Sequence, residues 1–339
     1  MAHTAIKWSR ETEMKTYLVT GGCGFIGVNL VTRLTALGAR VRVLDNLSLG
    51  KRGDIEPFGV DLLVGDIRDT VAIRKACEGV DVVVHLAAHT RVIESVSDPA
   101  LNFEINALGT LNVLLACRDA GVKKVIFAST GGAILGEQEP PVHEDMVPRP
   151  VSAYGAGKLA GEAYCSAFFG SYGLNTVALR FSNVYGPWSY HKGSVVAQFL
   201  RNLMQGEPLI VYGDGTQTRD FVYVDDLVEA ILLADRAETP GEVFQIASGI
   251  ETSILTLLQA IKVAIPEVAL DVQFRPSRAG EISRNYANID KARRRLGFNP
   301  KTELHQGLVT TWKWFKEHTA KDDAKKDAKP RVEHVGNKA

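Results

Sequence analysis

The chain has 339 residues, 45% of them hydrophobic and 23% charged, enough to bury a core without disulfide or metal staples. Lys plus Arg and Asp plus Glu both number 39, so net charge is zero, which argues against a broad electrostatic grip on nucleic acid or an anionic membrane. No apolar run reaches the roughly 20 residues of a membrane helix, and the N-terminus lacks an apolar signal core. The four cysteines (Cys23, Cys77, Cys117, Cys165) form neither a metal-type pair nor a disulfide framework, so a reducing cytoplasm is expected.

Residues 1–13 are polar and patternless and are expected to form a flexible extension. Short apolar runs then read as buried parallel strands at Thr16–Thr20, Val41–Leu44, Asp61–Val64, Asp81–Leu86, Lys124–Ala128 and Thr176–Leu179. Helical stretches lie between them at Phe25–Leu37, Thr70–Cys77, Pro99–Ala120 and Ala153–Tyr172. This alternation predicts an α/β fold with a doubly wound parallel sheet covered on both faces. After Arg180 the rhythm breaks into Gly-, Pro- and aromatic-rich segments, the sign of a smaller substrate lobe. A helix at Asp225–Asp235 and a strand at Val243–Ile246 are expected to return to the main sheet. The expected units are residues 14–182 with about 221–249 as the dinucleotide domain, and about 183–220 with 250–317 as the substrate lobe. Residues 318–339 read as a charged, disordered tail.

Gly21, Gly24 and Gly27 follow the first strand and open the first helix. The first permits a tight turn, the second a close approach of backbone to a pyrophosphate, and the third close packing of helix on strand. The helix start, at Phe25 and Ile26, offers open N–H groups to phosphate. Asp45 ends the second strand, 18 residues beyond Gly27, near the usual spacing for a ribose 2′-hydroxyl. A carboxylate there repels a 2′-phosphate, which favours NAD over NADP. Asp66 is a candidate for the adenine amino group, with a plain turn aspartate as the alternative.

Tyr154 and Lys158 stand four apart on a helix and so share one face. A neighbouring ammonium favours the phenolate and suits the tyrosine to act as a base. Such a pair arises readily by chance. Its weight comes from Ser129 and Thr130 at the end of an earlier strand, the edge where parallel sheets place their chemistry.

Together with His85-Leu86-Ala87-Ala88, Asn106-Ala107-Leu108-Gly109-Thr110, the run Arg180 to Pro187, Tyr212-Gly213-Asp214-Gly215, Arg219-Asp220-Phe221 and Arg278-Ala279-Gly280-Glu281, these motifs occur in a characteristic order. The chain resembles the extended short-chain dehydrogenase/reductases that act on nucleotide sugars, closest to the UDP-glucose (galactose) 4-epimerases, over about residues 15–317. The resemblance implies a Rossmann domain with a smaller C-terminal α/β substrate lobe, NAD as cofactor and a UDP-sugar as substrate. It implies that Tyr154 is the acid/base for the sugar 4-hydroxyl and that Lys158 binds the nicotinamide ribose and lowers the tyrosine pKa. Thr130 or Ser129 would be the partner hydroxyl. Gly21, Gly24, Phe25, Ile26, Gly27, Asp45, Asn46, Asp66, Ile67, Leu86, Ala87, Ala88, Asn106, Tyr154 and Lys158 would line the cofactor. Thr130, Asn183, Arg219, Arg278, Glu281 and Asn285 would line the substrate. It also implies a homodimer paired through a four-helix bundle built from Pro99–Ala120 and Ala153–Tyr172, with Ala107, Leu111, Leu114, Leu115, Ala163 and Ala167 on those helices.

Two departures stand out. Leu135 occupies a position where many relatives carry tyrosine, which raises the prospect of a reshaped pocket. Gly131-Gly132 stand where 4,6-dehydratases place an Asp-Glu pair, so that elimination is disfavoured. The expected activity is C4 epimerisation of a UDP-sugar through a transient 4-keto sugar. UDP-sugar dehydration or UDP-uronate decarboxylation or epimerisation is the rival, and a non-catalytic dinucleotide sensor a more distant one. In related epimerases the residue at Asn285 borders the sugar C2 substituent, and a small residue there admits N-acetyl groups. His85 reads as structural. His89, Arg91, His143 and His191 are either loop residues or liners of the sugar site. No metal spacing is present.

Overall fold

The computed structural model describes residues 15–277 and 282–327. Seven strands form one parallel sheet: β1 Thr16–Thr20, β2 Arg40–Asp45, β3 Asp61–Val64, β4 Val82–His85, β5 Lys124–Thr130, β6 Asn175–Phe181 and β11 Glu242–Ile246. They lie side by side in the order β11-β6-β5-β4-β1-β2-β3. Between the last two in chain order lie the short strands β7 (Asn183–Tyr185), β8 (Leu209–Tyr212), β9 (Thr218–Arg219) and β10 (Phe221–Tyr223). After β11 come β12 (Thr252–Ser253) and β13 (Val272–Arg275). The short strands pair among themselves as β7 with β10, β8 with β13 and β9 with β12, so the region after Arg180 builds small sheets of its own.

The apolar runs are doubly buried because successive side chains alternate between two cores. Val19, Val84, Ile126 and Val177 enter one core, while Leu18, Val83, Phe127 and Ala178 enter the other. The first core is covered by helix α1 (Phe25–Ala36) through Val28, Val31 and Leu34. The second is covered by α2 (Thr70–Cys77), by a helical run Pro99–Asp119 and by the helix Ala153–Tyr172. That last helix starts on a Ser152 Oγ that accepts the Gly155 amide and ends at Gly173, which takes φ +69°. The helix Val224–Arg236 and strand β11 do return to the main sheet, β11 pairing with β6 from Glu242 to Ile246.

Three features differ from the sequence expectation. A short helix, Val92–Ser97, follows β4; at six residues it is too short for sequence periodicity to announce it. The helix from Pro99 is interrupted by a π-helical turn at Glu104–Leu108, a form that commonly marks functional sites. The C-terminal helix runs Leu304–Asp327, so residues 318–327, assigned to a disordered tail, are helical; the lysines that make the segment look like a charged tail are also good helix formers, as are its alanines. The expected extension at residues 1–13 and the end of the tail lie outside the described residues.

With these insertions counted, the helices are α1, α2, α3 (Val92–Ser97), α4 (Pro99–Asp119), α5 (Gly131–Leu135), α6 (Ala153–Tyr172), α7 (Val195–Gln205), α8 (Val224–Arg236), α9 (Ile254–Ala264), α10 (Asp290–Leu296) and α11 (Leu304–Asp327). α4 is long and apolar enough to cross a membrane by composition, but half of it is buried against its neighbours.

His85 at the end of β4 is a core residue. Thr110 Oγ1 donates to the Asn106 carbonyl at 2.7 Å, so it accepts from His85 Nε2 at 3.0 Å; His85 Nδ1 then accepts from Thr20 Oγ1 at 2.7 Å. The ring is therefore neutral, and burial pushes its pKa from 6.5 down to about 3. The unfolded chain takes up this proton below about pH 6.5 while the folded chain does not, so stability falls on acidification by about 1.4 kcal/mol per pH unit from this group. Urea unfolding between pH 7 and pH 4.5 should show a shallower acid decline in His85→Gln than in the wild type. Equal slopes would contradict the neutral assignment.

Candidate active site

The glycine loop joins β1 to α1. Gly21 takes φ +70°, and a Cβ there would lie 2.7 Å from the Ala87 nitrogen, so the loop lies directly against the chain leaving β4. A Cβ on Gly27 would meet the Gly21 carbonyl oxygen at 2.3 Å, which fixes the helix-to-loop packing. Gly24 is different: a Cβ would meet only that same oxygen, at 3.3 Å, so its outer side is open. Gly24 is also the N-cap of α1 and brings no side-chain cap, which leaves the first-turn amides at Phe25 and Ile26 for a ligand. Asp45 is buried beside this loop, where Oδ2 accepts the Cys23 amide at 2.9 Å and Oδ1 accepts that of Leu47 at 2.8 Å. The open glycine, the uncapped helix start and the carboxylate at the end of β2 fit the pyrophosphate and adenosine ribose of a dinucleotide.

Other expected cofactor residues take more specific places. Asp66 is held by the fork of Arg68 at 3.0 Å and by Asn46 Nδ2 at 3.0 Å, and the guanidinium keeps its carboxyl well below the usual range. Its oxygens are thus engaged within its own turn. The Ile67 side chain is in the core, against Gly109. Leu86, Ala87 and Ala88 continue β4 past the sheet edge and are half-buried, with the Leu86 amide on the Thr20 carbonyl at 3.1 Å. Asn106, in the π-helical turn, is fully committed to protein. Oδ1 accepts the His89 amide at 2.9 Å, and Nδ2 donates to the His89 carbonyl at 2.9 Å and to Asn102 Oδ1 at 3.0 Å. It therefore shapes the loop that follows β4 rather than reaching outward.

Helix α6 carries the titratable pair to the end of β5. Gly161 makes this approach possible: a Cβ there would stand 2.3 Å from the Phe127 ring. Lys158 is buried, its Nζ donating to the Ala128 carbonyl at 2.8 Å and lying 4.8 Å from the Phe127 ring centre. Burial draws its pKa down to about 7. Burial pushes Tyr154 up to about 12, opposed by a hydrogen bond with the Thr130 side chain. The expected lowering of the tyrosine by Lys158 is thus absent in the ligand-free protein, where the lysine is itself only partly charged at neutral pH. Between the two hydroxyl candidates the geometry is clear. Thr130 meets Tyr154, whereas Ser129 Oγ donates to Glu162 Oε1 at 2.6 Å and is buried away from it.

The two glycines after Thr130 abut amides. A Cβ on Gly131 would lie 2.7 Å from Gln245 Oε1, and one on Gly132 would lie 2.4 Å from Asn285 Nδ2. Asn285 therefore sits beside the end of β5. Asn183 opens β7, half-buried, its amide on the Asp220 carbonyl at 3.0 Å. Arg219 Nη1 donates to the carbonyls of Thr218 and Ile282 at 2.7 and 2.8 Å, so part of that guanidinium braces the segment entering Asn285. Arg278 and Glu281 lie outside the described residues. Arg91 pairs with Glu94 at 2.6 Å and is exposed, and His89 Nε2 reaches the same carboxylate at 3.0 Å. His143 is half-buried and His191 is exposed. Leu135 is completely buried in the first core, so its substitution for an aromatic is a packing change. Sequence reasoning missed Ser95, whose Oγ accepts the Tyr154 amide at 3.2 Å, and the buried pair Glu162–Arg180. Glu162 was findable as the residue one further turn along the Tyr154–Lys158 face.

This fold and site define a dinucleotide-dependent enzyme of the short-chain dehydrogenase type. Residues 17–247 match the profile of the NAD dependent epimerase/dehydratase family, and the chain belongs to that family. It is 36% identical over 313 residues to the UDP-glucose 4-epimerase of Mycolicibacterium smegmatis, covering 88% of this chain and 98% of that protein. The crystal structure of the UDP-glucose 4-epimerase of Thermus thermophilus in complex with NAD superposes with a TM-score of 0.81 at 39% identity, covering 89% and 99% of the two chains. The UDP-N-acetylglucosamine 4-epimerase of Methanobrevibacter ruminantium M1, in complex with UDP-N-acetylmuramic acid, superposes at 0.85 with 33% identity, covering 90% and 99%.

NAD is the cofactor of this family, and the glycine loop offers a direct test of how it is held. Gly24→Ala should fold normally, since its Cβ meets a single atom, at 3.3 Å. It should nevertheless bind NAD at least tenfold more weakly by calorimetry, because the methyl occupies the phosphate's approach. Unchanged affinity would refute the loop assignment.

Proposed function

We propose that the protein is an NAD-dependent UDP-sugar 4-epimerase. The observation that carries this reading is the Thr130–Tyr154 hydroxyl pair beside buried Lys158 at the C-terminal edge of the sheet, with two glycines and two amides where an elimination would need acids. NAD, when bound, supplies a hydride acceptor and later donor at the sugar C4. Tyr154 takes the 4-hydroxyl proton as hydride leaves C4, forming the 4-keto sugar, and returns the proton to oxygen once hydride is restored on the other face. Thr130 shares the proton between sugar and tyrosine. Lys158 holds the nicotinamide ribose and, when charged, favours the phenolate. Asn183, Arg219 and, by the family resemblance, Arg278 and Glu281 hold the nucleotide sugar. The close walls keep water from the ketone.

The uronate and dehydratase alternatives each need a group that is otherwise engaged or missing. Arg91, the candidate partner of a sugar carboxylate, is paired with Glu94, and Gly131-Gly132 supply no acid or base. Asn285 packs against Gly132, and an asparagine there is smaller than the tyrosine that excludes N-acetyl groups, which supports admission of N-acetylhexosamines alongside hexoses. With a panel of UDP-sugars followed by proton NMR, wild type should equilibrate C4 epimers, and Tyr154→Phe should lose about 10²–10⁴-fold in turnover while keeping NAD. Asn285→Tyr should lose the acetylated sugars first. Near-normal turnover in Tyr154→Phe would end the mechanism.

The reading includes a homodimer in a reducing cytoplasm. Ala107 and Leu114, expected at the interface, are buried within the protomer. Ala163 and Ala167, also expected there, are exposed, and with them α4 and α6 expose Phe103, Leu108, Tyr164, Phe169 and Tyr172, apolar groups that a second copy would cover. Light scattering at micromolar concentration should return twice the chain mass, and Phe103→Asp with Tyr164→Asp should return one.

A further inference from the structure

Three successive residues of β5 receive three side chains of one face of α6. The Ala128 carbonyl accepts from Lys158 Nζ at 2.8 Å, Ser129 Oγ donates to Glu162 at 2.6 Å, and the Thr130 side chain bonds to Tyr154. Glu162 stands four residues beyond Lys158 and eight beyond Tyr154. Its other contacts come from β6, where Arg180 Nε meets Oε1 at 2.9 Å and Nη2 meets Oε2 at 2.8 Å, a bidentate fork. Glu162 is 6% exposed and Arg180 3%. The carboxylate thus locks helix, strand end and neighbouring strand together one residue from Thr130.

We propose that Glu162 is a positioning residue for the reaction: through Ser129 it sets the Thr130 strand end, and its carboxylate, one helical turn from Lys158, favours the ammonium form there. This rests on the epimerase reading for its catalytic consequence, though not for its electrostatics. The groups facing Lys158 are few. Glu162 and Cys165 come from α6 itself, His85 from β4 is neutral, and the Phe127 ring and Ala128 carbonyl come from β5. Burial works against the ammonium, and the Glu162 carboxylate opposes that effect. Arg180 on β6 pairs with the same carboxylate and offsets part of its charge.

The test uses NAD-loaded protein with lysine labelled at 13Cε, the Lys158 resonance being assigned by its loss in Lys158→Met. Glu162→Gln keeps the size of the side chain and can still accept from Ser129, but removes the charge. The Lys158 titration midpoint should fall by about one pH unit, a tenfold loss of ammonium at any pH above both midpoints. Ser129→Ala should leave that midpoint in place and lower kcat about tenfold with KM unchanged, since it frees the strand end without touching the charge. An unmoved midpoint in folded Glu162→Gln would overturn the electrostatic role, and unchanged kcat in Ser129→Ala the positioning role. Should Glu162→Gln fail to fold, leaving Arg180 buried and unpaired, Glu162→Met with Arg180→Met removes both charges together. A wild-type Lys158 midpoint in that double variant would likewise overturn the proposal. The midpoint is read without substrate, so a protein inactive on every UDP-sugar would refute the epimerase reading and leave this result standing.

Discussion

A lysine ammonium buried in a protein needs a reason, and here the reason organises the molecule. Lys158 is buried against the Ala128 carbonyl and the Phe127 ring, with the Glu162 carboxylate one turn along the helix. To bring it to the end of β5, α6 must lie almost on the strand, which is why Gly161 faces Phe127. The same closeness aligns Tyr154 with Thr130 and Glu162 with Ser129. Remove the tight packing of helix on strand and the charge would move to solvent. The tyrosine would then lose its neighbour. The near-neutral lysine and the high tyrosine are two faces of one condition: the close packing of helix on strand that takes both groups away from solvent.

The second constraint lies across the sheet edge. The glycine loop and the chain leaving β4 touch through Gly21 and Ala87, and that chain is held by Asn106 from the π-helical turn of α4. The region after Arg180 is tied to the same edge by Asp220, a wholly buried carboxylate that accepts Ser248 Oγ and amide at 2.7 Å, the Gly249 amide at 2.9 Å and the Ala287 amide at 3.4 Å. Burial raises its pKa, and these donors counter that. One carboxylate thus joins the turn after β11 to the segment that carries Asn285. The position of Asn285 over Gly132 is a consequence of this tie.

The sheet was legible because its strands have short apolar centres and its helices are periodic; β1, β3 and the helix Ala153–Tyr172 fall on the residues expected. The glycine spacing and the Tyr154–Lys158 interval were legible for the same reason, being local in sequence. What sequence could not resolve depended on contacts between distant segments. Ser129 and Thr130 are adjacent, and only the direction in which each strand residue points separates them, toward Glu162 or toward Tyr154. Asn106 looks like a ligand residue until the loop that engages it is seen. Arg91 looks available until α3 brings Glu94 one turn away, and the apolar residues of that short helix, Val92, Ile93 and Val96, face outward rather than into a core. Leu135 looks like a pocket change, but the residue is core.

The chemistry of the sugar side follows from what stands next to Thr130. A ketone held at C4 makes the neighbouring C–H acidic, and any carboxylate within reach would draw the reaction toward elimination. Here the strand end is followed by two glycines, and the space they leave is taken by the amides of Gln245 and Asn285. An amide neither accepts a proton from carbon nor delivers one to a leaving hydroxyl at neutral pH. Gln245 turns its Oε1 toward Gly131, and among the described residues its Nε2 is buried without a hydrogen-bond partner, so this wall is a neutral amide rather than a base. In our reading the ketone therefore has one efficient exit, the return of hydride and proton along the path by which they left. The difference between an epimerase and a dehydratase on this fold then reduces to whether residues 131 and 132 bring acids or make room for neutral neighbours.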